Sequence, residues 1–267
     1  MSVLKTISIF VCAFALFSCN NKEKNTKIDS LKEVITPTES NKLTKSQIIL
    51  NETISAHGGD LYNSAHYSFV FRDNTYQFKN DGSNYEYKKS SSTGDSIIND
   101  ILTSGSLQRM INGKLIKLSA KEITSGTGAI NSVIYFATLP YKLNDKAVNS
   151  KYIESIVIKD KSYDVLEITF NKEGGGEDHD DEFYYWINKD TKKIDYLAYS
   201  YKVNKGGVRF RSAYNTRVID GITFQDYINY KAEVGTPLKA LPALYEANTL
   251  KELSRIKTEN IINLNKN

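Results

Sequence analysis

The feature that most constrains the fold is a succession of five runs rich in aromatic and β-branched residues in the second half of the chain. The runs cover residues 163–171, 182–188, 194–203, 208–214 and 219–231. Most of the connections between them are short and polar. Runs of this composition at this spacing predict an antiparallel meander. The 18 tyrosines of the 267-residue chain favour sheet in the same way.

The longest connection, residues 173–182, is acidic and contains three consecutive glycines. In an alternating meander this loop lies at the same sheet edge as Arg209 and Arg211, which share one face of the fourth run. The loop also offers candidate metal ligands: Asp178, His179 and Asp181. One histidine does not supply the ligands that zinc sites usually have, and the acidic residues of the loop are not spaced as in an EF-hand calcium loop. The alternative is a solvated loop whose salt bridges contribute little stability.

Residues 1–18 predict the export signal of a lipoprotein. Lys5 precedes an apolar run at residues 7–17, which is too short to cross a ~30 Å hydrocarbon core as a helix. The segment ending in Cys19 resembles the lipobox of bacterial lipoproteins, although Phe17 is bulkier than the residue commonly found there. We therefore expect Cys19 to be acylated and to begin the mature chain. The alternative is an ordinary secretory signal with an incidental cysteine.

Beyond this signal, the polar residues 19–43 predict a flexible tether, and residues 44–267 predict one domain. Cys12 and Cys19 are the two cysteines of the sequence, so a mature chain that begins at Cys19 has no internal disulfide, catalytic thiol or cysteine-bound zinc. The net charge of +4 comes from scattered lysines without a basic stripe, which argues against nucleic acid as a partner.

Local signals place several further elements. A capping box at Thr44–Gln47 predicts a helix that ends at His57, a residue expected to have a core or capping role. The turns at 80–82 and 112–113 predict hairpins, and the apolar stretch 129–139 predicts a buried helix across the sheet. Ser96 is predicted to cap a short helix over residues 97–102, and a second short helix is predicted around residues 241–245.

Several short motifs occur together in this chain: His57-Gly-Gly59, Phe69-x-Phe-Arg72, Leu139-Pro-Tyr-Lys-Leu-Asn-Asp145, Asp195-Tyr-Leu-Ala-Tyr199, Arg209-Phe-Arg211 and Leu241-Pro-x-Leu-Tyr-Glu246. In combination they resemble an uncharacterised family of Gram-negative envelope lipoproteins, over about residues 48–262. The resemblance implies the lipoprotein-carrier fold of LolA and LolB. That fold is mainly β (α+β), with a curved antiparallel sheet forming a half-barrel closed by a few short helices. The resemblance assigns no role to any residue.

The favoured function is a binding module that holds an apolar, acyl or lipid-like ligand against the aromatic sheet. The predicted ligand-binding residues are Tyr184, Trp186, Tyr199, Arg209, Arg211 and Tyr227. One alternative is a metal-dependent or acid/base enzyme at the 173–182 loop, and another is a structural partner in an envelope complex. No constellation of nucleophile, base and orienting residue emerges, so we expect neither catalysis nor a cofactor. The expected location is the outer membrane, with the bilayer bound through acylated Cys19.

Lipidation makes a direct prediction. Acyl chains contribute roughly 0.8 kcal/mol per buried methylene, so multiple acylation at Cys19 anchors the chain firmly. Cys19→Ser should move the protein from the membrane fraction to the soluble periplasmic fraction. Fractionation and detergent-phase partitioning measure this change. Unaltered detergent-phase partitioning of the variant would contradict the lipoprotein assignment.

Overall fold

Two antiparallel sheets make up most of the computed structural model, which describes residues 42–173, 181–202 and 205–266. The first sheet has the strand order β14-β1-β2-β3-β4-β5-β6. Its strands are β1 (His66–Phe71), β2 (Asn74–Asp81), β3 (Asn84–Thr93), β4 (Ser96–Thr103), β5 (Ser106–Ile111), β6 (Lys114–Ile116) and β14 (Glu259–Asn263).

The second sheet has the order β13-β12-β11-β10-β9-β8-β7. Its strands are β7 (Val148–Ile158), β8 (Lys161–Phe170), β9 (Glu182–Asn188), β10 (Ile194–Tyr201), β11 (Gly207–Ile219), β12 (Ile222–Ala232) and β13 (Lys251–Ile256). Neither sheet closes on itself, and register shifts interrupt the pairing of several strands. Shifts of this kind bend strands and increase their twist. The mainly β, antiparallel fold class is therefore as predicted.

Three α-helices lie in the described residues: α1 (Lys45–His57), α2 (Ala120–Ala137) and α3 (Leu241–Glu246). The predicted capping box of α1 is confirmed, and Ser119 with Glu122 forms a second box that begins α2 well before the predicted apolar stretch. In the part of the chain that the structure describes, no helix combines the length and apolarity needed to cross a membrane.

The predicted meander is confirmed as β8 to β12, with β11 and β12 joined by a tight turn at residues 220–221. The predicted helix at residues 97–102 is wrong, because Ser96 begins β4. Ser96 pairs with Thr93 across a two-residue turn, in which Gly94 adopts a φ of 55°. The β-branched isoleucines of this segment suit a strand paired on both sides better than a single helical turn.

The hydrophobic core lies against one face of the first sheet, whereas other elements pack on both faces of the second sheet. Ile130 and Ile134 of α2 pack in the first sheet's core. On one face of the second sheet, α1, residues 139–143 and the last turn of α2 cover a cluster that includes Leu166, Tyr185 and Leu197. On the other face, the segment that contains Leu238 and Leu241 covers Trp186 and Phe210.

One corner connects the two sheets. β13 ends at Ile256, and after two residues β14 begins in the other sheet. Thr258 at this corner donates its backbone N–H to Asp226 of β12 at 3.0 Å, and Arg217 of β11 makes an ion pair with the same carboxylate at 3.0 Å. Arg217 also donates to the Thr258 side chain at 2.7 Å. The paired charges fix the point at which the chain changes sheets.

His57, the last residue of α1, is fully buried, and its Nε2 accepts the backbone N–H of Ile194 at 3.2 Å. The predicted core role of this histidine is confirmed. Burial, reinforced by the positive charge of Lys193, lowers the pKa of His57 to about 3. The native state therefore keeps the imidazole neutral at a pH where an exposed histidine is protonated.

This lowered pKa predicts acid sensitivity. Below the unfolded-state pKa of about 6.5 the unfolded chain binds a proton that the native chain does not bind. The free energy of unfolding should therefore fall as the pH decreases from about 6.5 towards 3, by up to ~1.4 kcal/mol per pH unit for this group. Urea unfolding of wild type and His57→Gln across this range measures the slope. An identical pH slope in both proteins would refute the assignment.

Candidate functional site

A cavity of about 420 Å³ lies between the C-terminal half of α2 and one face of the second sheet. Most of its lining is aromatic or aliphatic, and the exposed residues Arg72 and Ser132 mark its mouth. The lining residues are Phe71, Arg72, Ser132, Val133, Phe136, Ala137, Asp181, Phe183, Tyr199, Tyr201, Arg211, Gln225, Tyr227, Asn229, Ser254, Ile256 and Thr258.

Strand alternation explains which residues converge on the cavity. On β12, Gln225, Tyr227 and Asn229 are spaced by two and point to the same face. Asn229 pairs with Arg211 of β11, so these two side chains leave the same face side by side. The prediction included Tyr227 but missed Gln225 and Asn229, which their spacing of two residues places on the same face of β12.

Arg211 is the unusual residue in the lining, because only 7% of its surface is exposed. Its Nη2 donates to the Tyr199 hydroxyl at 2.8 Å, and its guanidinium carbon lies 3.8 Å from the centroid of the Phe136 ring. Within the described part of the chain, its Nε and Nη1 are buried and have no hydrogen-bond partner. Among the ion pairs between described residues, none includes Arg211.

The polar groups around Arg211 are mostly uncharged. Asn229 donates from Nδ2 to Ser254 Oγ at 3.3 Å, but its Oδ1 has no partner. The Tyr227 hydroxyl donates to Gln225 Oε1 at 3.5 Å. Burial raises the pKa of Tyr227, and the opposing influence of nearby Arg211 is smaller, so the phenol is neutral at ordinary pH. Asp181 supplies the carboxylate of the lining.

The structure divides the predicted ligand-binding residues between two locations. Tyr199, Arg211 and Tyr227 line the cavity together. Arg209 shares the face of Arg211, as predicted, but it is not part of the lining and donates instead to the Tyr201 hydroxyl and to the Val208 carbonyl at 3.1 Å.

Tyr184 and Trp186 lie on the opposite face of the sheet from the cavity. Only 1% of Trp186 is exposed, and its ring centroid is 5.6 Å from that of Phe210, in the cluster that Leu238 and Leu241 cover. A ligand in the cavity does not contact Trp186, so its fluorescence is not a direct reporter of binding there.

The predicted metal ligands divide as well. Asp178 and His179 lie outside the described residues, whereas Asp181 lines the cavity. Within residues 42–173, 181–202 and 205–266, no three His, Cys, Asp or Glu side chains gather in a way that could hold a metal ion.

A family model described as a family of unknown function (DUF6503) matches residues 5–258. A search of the curated proteins finds no match. The similar solved structures include a LolA superfamily protein from Nitrosomonas europaea, with 12% identity, a TM-score of 0.47 and coverage of 82% of this chain and 93% of that chain. They also include a DUF1329 family protein from Desulfovibrio piger, with 10% identity, a TM-score of 0.41 and coverage of 83% and 94%. Similarities this distant carry no information about function.

The contrast between Arg211 and Arg217 on one strand yields a prediction about stability. An unpaired buried cation is costly, so its replacement by an apolar side chain of similar volume should be neutral or stabilising, whereas removing one partner of a buried ion pair costs about 3–5 kcal/mol. Arg211→Met should therefore leave the free energy of unfolding unchanged or raise it. Arg217→Met, which leaves the buried Asp226 without its cation, should lower it by about 3 kcal/mol or more. Urea unfolding compares the two, and equal destabilisation would be inconsistent with an unpaired Arg211.

Proposed function

The chain belongs to the DUF6503 family of unknown function, and we propose that it binds a ligand with an apolar, acyl-like portion in the cavity between α2 and the second sheet. The family match confirms the resemblance to a family without an assigned function. The observation that carries the proposal is the cavity itself.

The size and lining of the cavity support a small ligand. Its volume of about 420 Å³ lies within the ~300–1,000 Å³ that is common for small-molecule sites. Phe71, Val133 and Phe183 each turn part of their surface towards this space. Groups that lack partner atoms forgo dispersion contacts, which an apolar ligand restores. A few convergent polar groups beside an apolar lining are also typical of binding sites.

The proposed setting is the cell envelope, at the outer membrane. Acylation of Cys19, which lies outside the described residues, would attach the chain to a lipid surface. The tether predicted at residues 19–43 has 25 residues, and a flexible chain of that length has a typical span of roughly 25–30 Å. A domain held at that distance would meet lipid-derived ligands at high local concentration. This setting favours an acyl-like ligand over other apolar molecules.

A variant whose larger side chain fills the cavity tests the proposal. Val133 lines it from α2, and the exposed Asn131 lies two residues earlier, on the opposite side of the same helix. Straight-chain alcohols and carboxylic acids of increasing length should raise the Tm of the wild type, because a ligand that binds the folded state stabilises it by mass action. Val133→Trp should abolish this rise, and Asn131→Trp should retain it.

Differential scanning fluorimetry measures the shift, and native mass spectrometry gives the stoichiometry, expected to be one ligand per chain. Circular dichroism and urea unfolding establish that Val133→Trp is folded. Two results would reject the proposal: no Tm rise with any chain length, or an equal rise in Val133→Trp and the wild type.

A further inference from the structure

We propose that the ligand of this cavity carries an anionic oxygen head group, a carboxylate or a phosphate monoester, that pairs with Arg211. The inference rests on the proposed function, because it specifies the chemistry of a ligand bound in the same cavity. The observation behind the inference is the positive charge of Arg211, which the described part of the protein does not neutralise.

A guanidinium removed from water normally has a carboxylate partner, because an unpaired buried charge is costly. Arg217, six residues further along β11, follows this rule through its ion pair with Asp226. Arg211 is more buried than Arg217 and has one hydrogen bond, to the neutral Tyr199 hydroxyl. Within the described ranges its Nε and Nη1 have no partner at all. A ligand that brings an anion to this position supplies the missing charge.

The guanidinium also has suitable donors. It has five N–H donors in a planar fork, and the bond to Tyr199 uses one hydrogen of Nη2. Whichever hydrogen this is, one edge of the guanidinium keeps two parallel donors, either Nε with Nη2 or Nη1 with Nη2. Carboxylate and phosphate oxygens bind such an edge in bidentate fashion. The Phe136 ring stacks on one face of the guanidinium at 3.8 Å, so an anion would bind in the guanidinium plane, along an edge.

The other charges of the lining also favour an anion. Arg72 stands at the mouth and Arg211 lies inside, so the lining has two arginines against one aspartate, Asp181. The Tyr199 hydroxyl accepts a hydrogen bond from Arg211, and the amide of Asn229 lies beside Arg211 on the neighbouring strand. Because only 7% of Arg211 is exposed, an ion pair formed here is weakly screened. The apolar residues Val133, Phe183 and Ile256 remain for the acyl portion.

Ligands that share one alkyl chain and differ only in the head group test this inference. The series consists of the alkyl carboxylate, the alkyl phosphate monoester, the alkyl alcohol and the alkyl trimethylammonium ion, each titrated calorimetrically below its micelle concentration. Wild type should bind at least one of the two anions about tenfold or more tightly than the alcohol, a ratio that calorimetry resolves well. The stronger of the two anions identifies the head group as carboxylate or phosphate. The cation should bind more weakly than the alcohol.

Two variants locate the preference. Arg211→Met should bind the anions no more tightly than it binds the alcohol. Arg255→Met is the matched control, because Arg255 leaves the opposite face of β13 from Ser254 and Ile256 and pairs with Glu252. This control should preserve the anion preference of the wild type.

The outcomes separate the inference from the proposed function. Equal affinity of wild type for anions and alcohol would overturn the head-group inference and leave the apolar binding function in place. An anion preference that persists in Arg211→Met would also overturn it. Failure of every member of the series to bind would reject the proposed function itself. The wild-type comparison needs no variant to fold, so it tests the inference on its own.

Discussion

The constraint on which the rest of the structure depends is that the second sheet must be covered on both faces. Its strand β9 is buried at almost every position, and the side chains on its two faces belong to different clusters. Helix α2 covers the first sheet with Ile130 and Ile134, and only its last turn reaches the second sheet, through Tyr135 and Phe136. One helix shared between two sheets does not fill the space beside both. The cavity lies beside the second sheet, in the space that α2 does not fill.

The corner between β13 and β14 gives that space a defined boundary. Thr258 lines the cavity and is also held by Asp226 and Arg217. Buried charge pairs add little net stability compared with apolar packing, but they define one arrangement where apolar contacts would tolerate several. The last two strands thus complete both sheets, while the paired charges fix the position of one side of the binding cavity.

Arg211 and Arg217 show two uses of the same residue type on one strand. Arg217 is neutralised by the protein and serves the fold. Arg211 is held in position by Tyr199 and Phe136 but keeps donors without partners in the described structure. A preorganised, unsatisfied donor costs stability and increases affinity, because the protein does not reorganise when a ligand binds. This trade-off between stability and affinity is the reason for the proposal that Arg211 binds the ligand, whereas Arg217 stabilises the fold.

Features that depend on local patterns could be predicted from the amino-acid sequence. The capping box of α1, the hairpin turns and the alternation within the meander act over a few residues, so their signals can be read directly. The same alternation correctly placed Arg209 and Arg211 on one face, whereas Tyr184 and Trp186, predicted to bind the same ligand, lie on the other face. The helix assigned at Ser96 failed because pairing with β3 and β5 outweighs a local capping signal. The edge strand β7, with mixed polar and apolar positions, has no comparably clear signal.

Only the tertiary structure decided which aromatic face is filled and which borders a cavity. Residues 238–246 cover Trp186 from a distant part of the chain, whereas α2 leaves Tyr199, Arg211 and Tyr227 beside open space. Tertiary contacts also separated Arg209, which bonds to Tyr201 and a backbone carbonyl, from Arg211, whose Nε and Nη1 have no partner among the described residues. Side-chain periodicity specifies the face of a strand, but the group that packs against that face comes from residues far away in sequence. The location of the binding cavity therefore depends on contacts that no local pattern encodes.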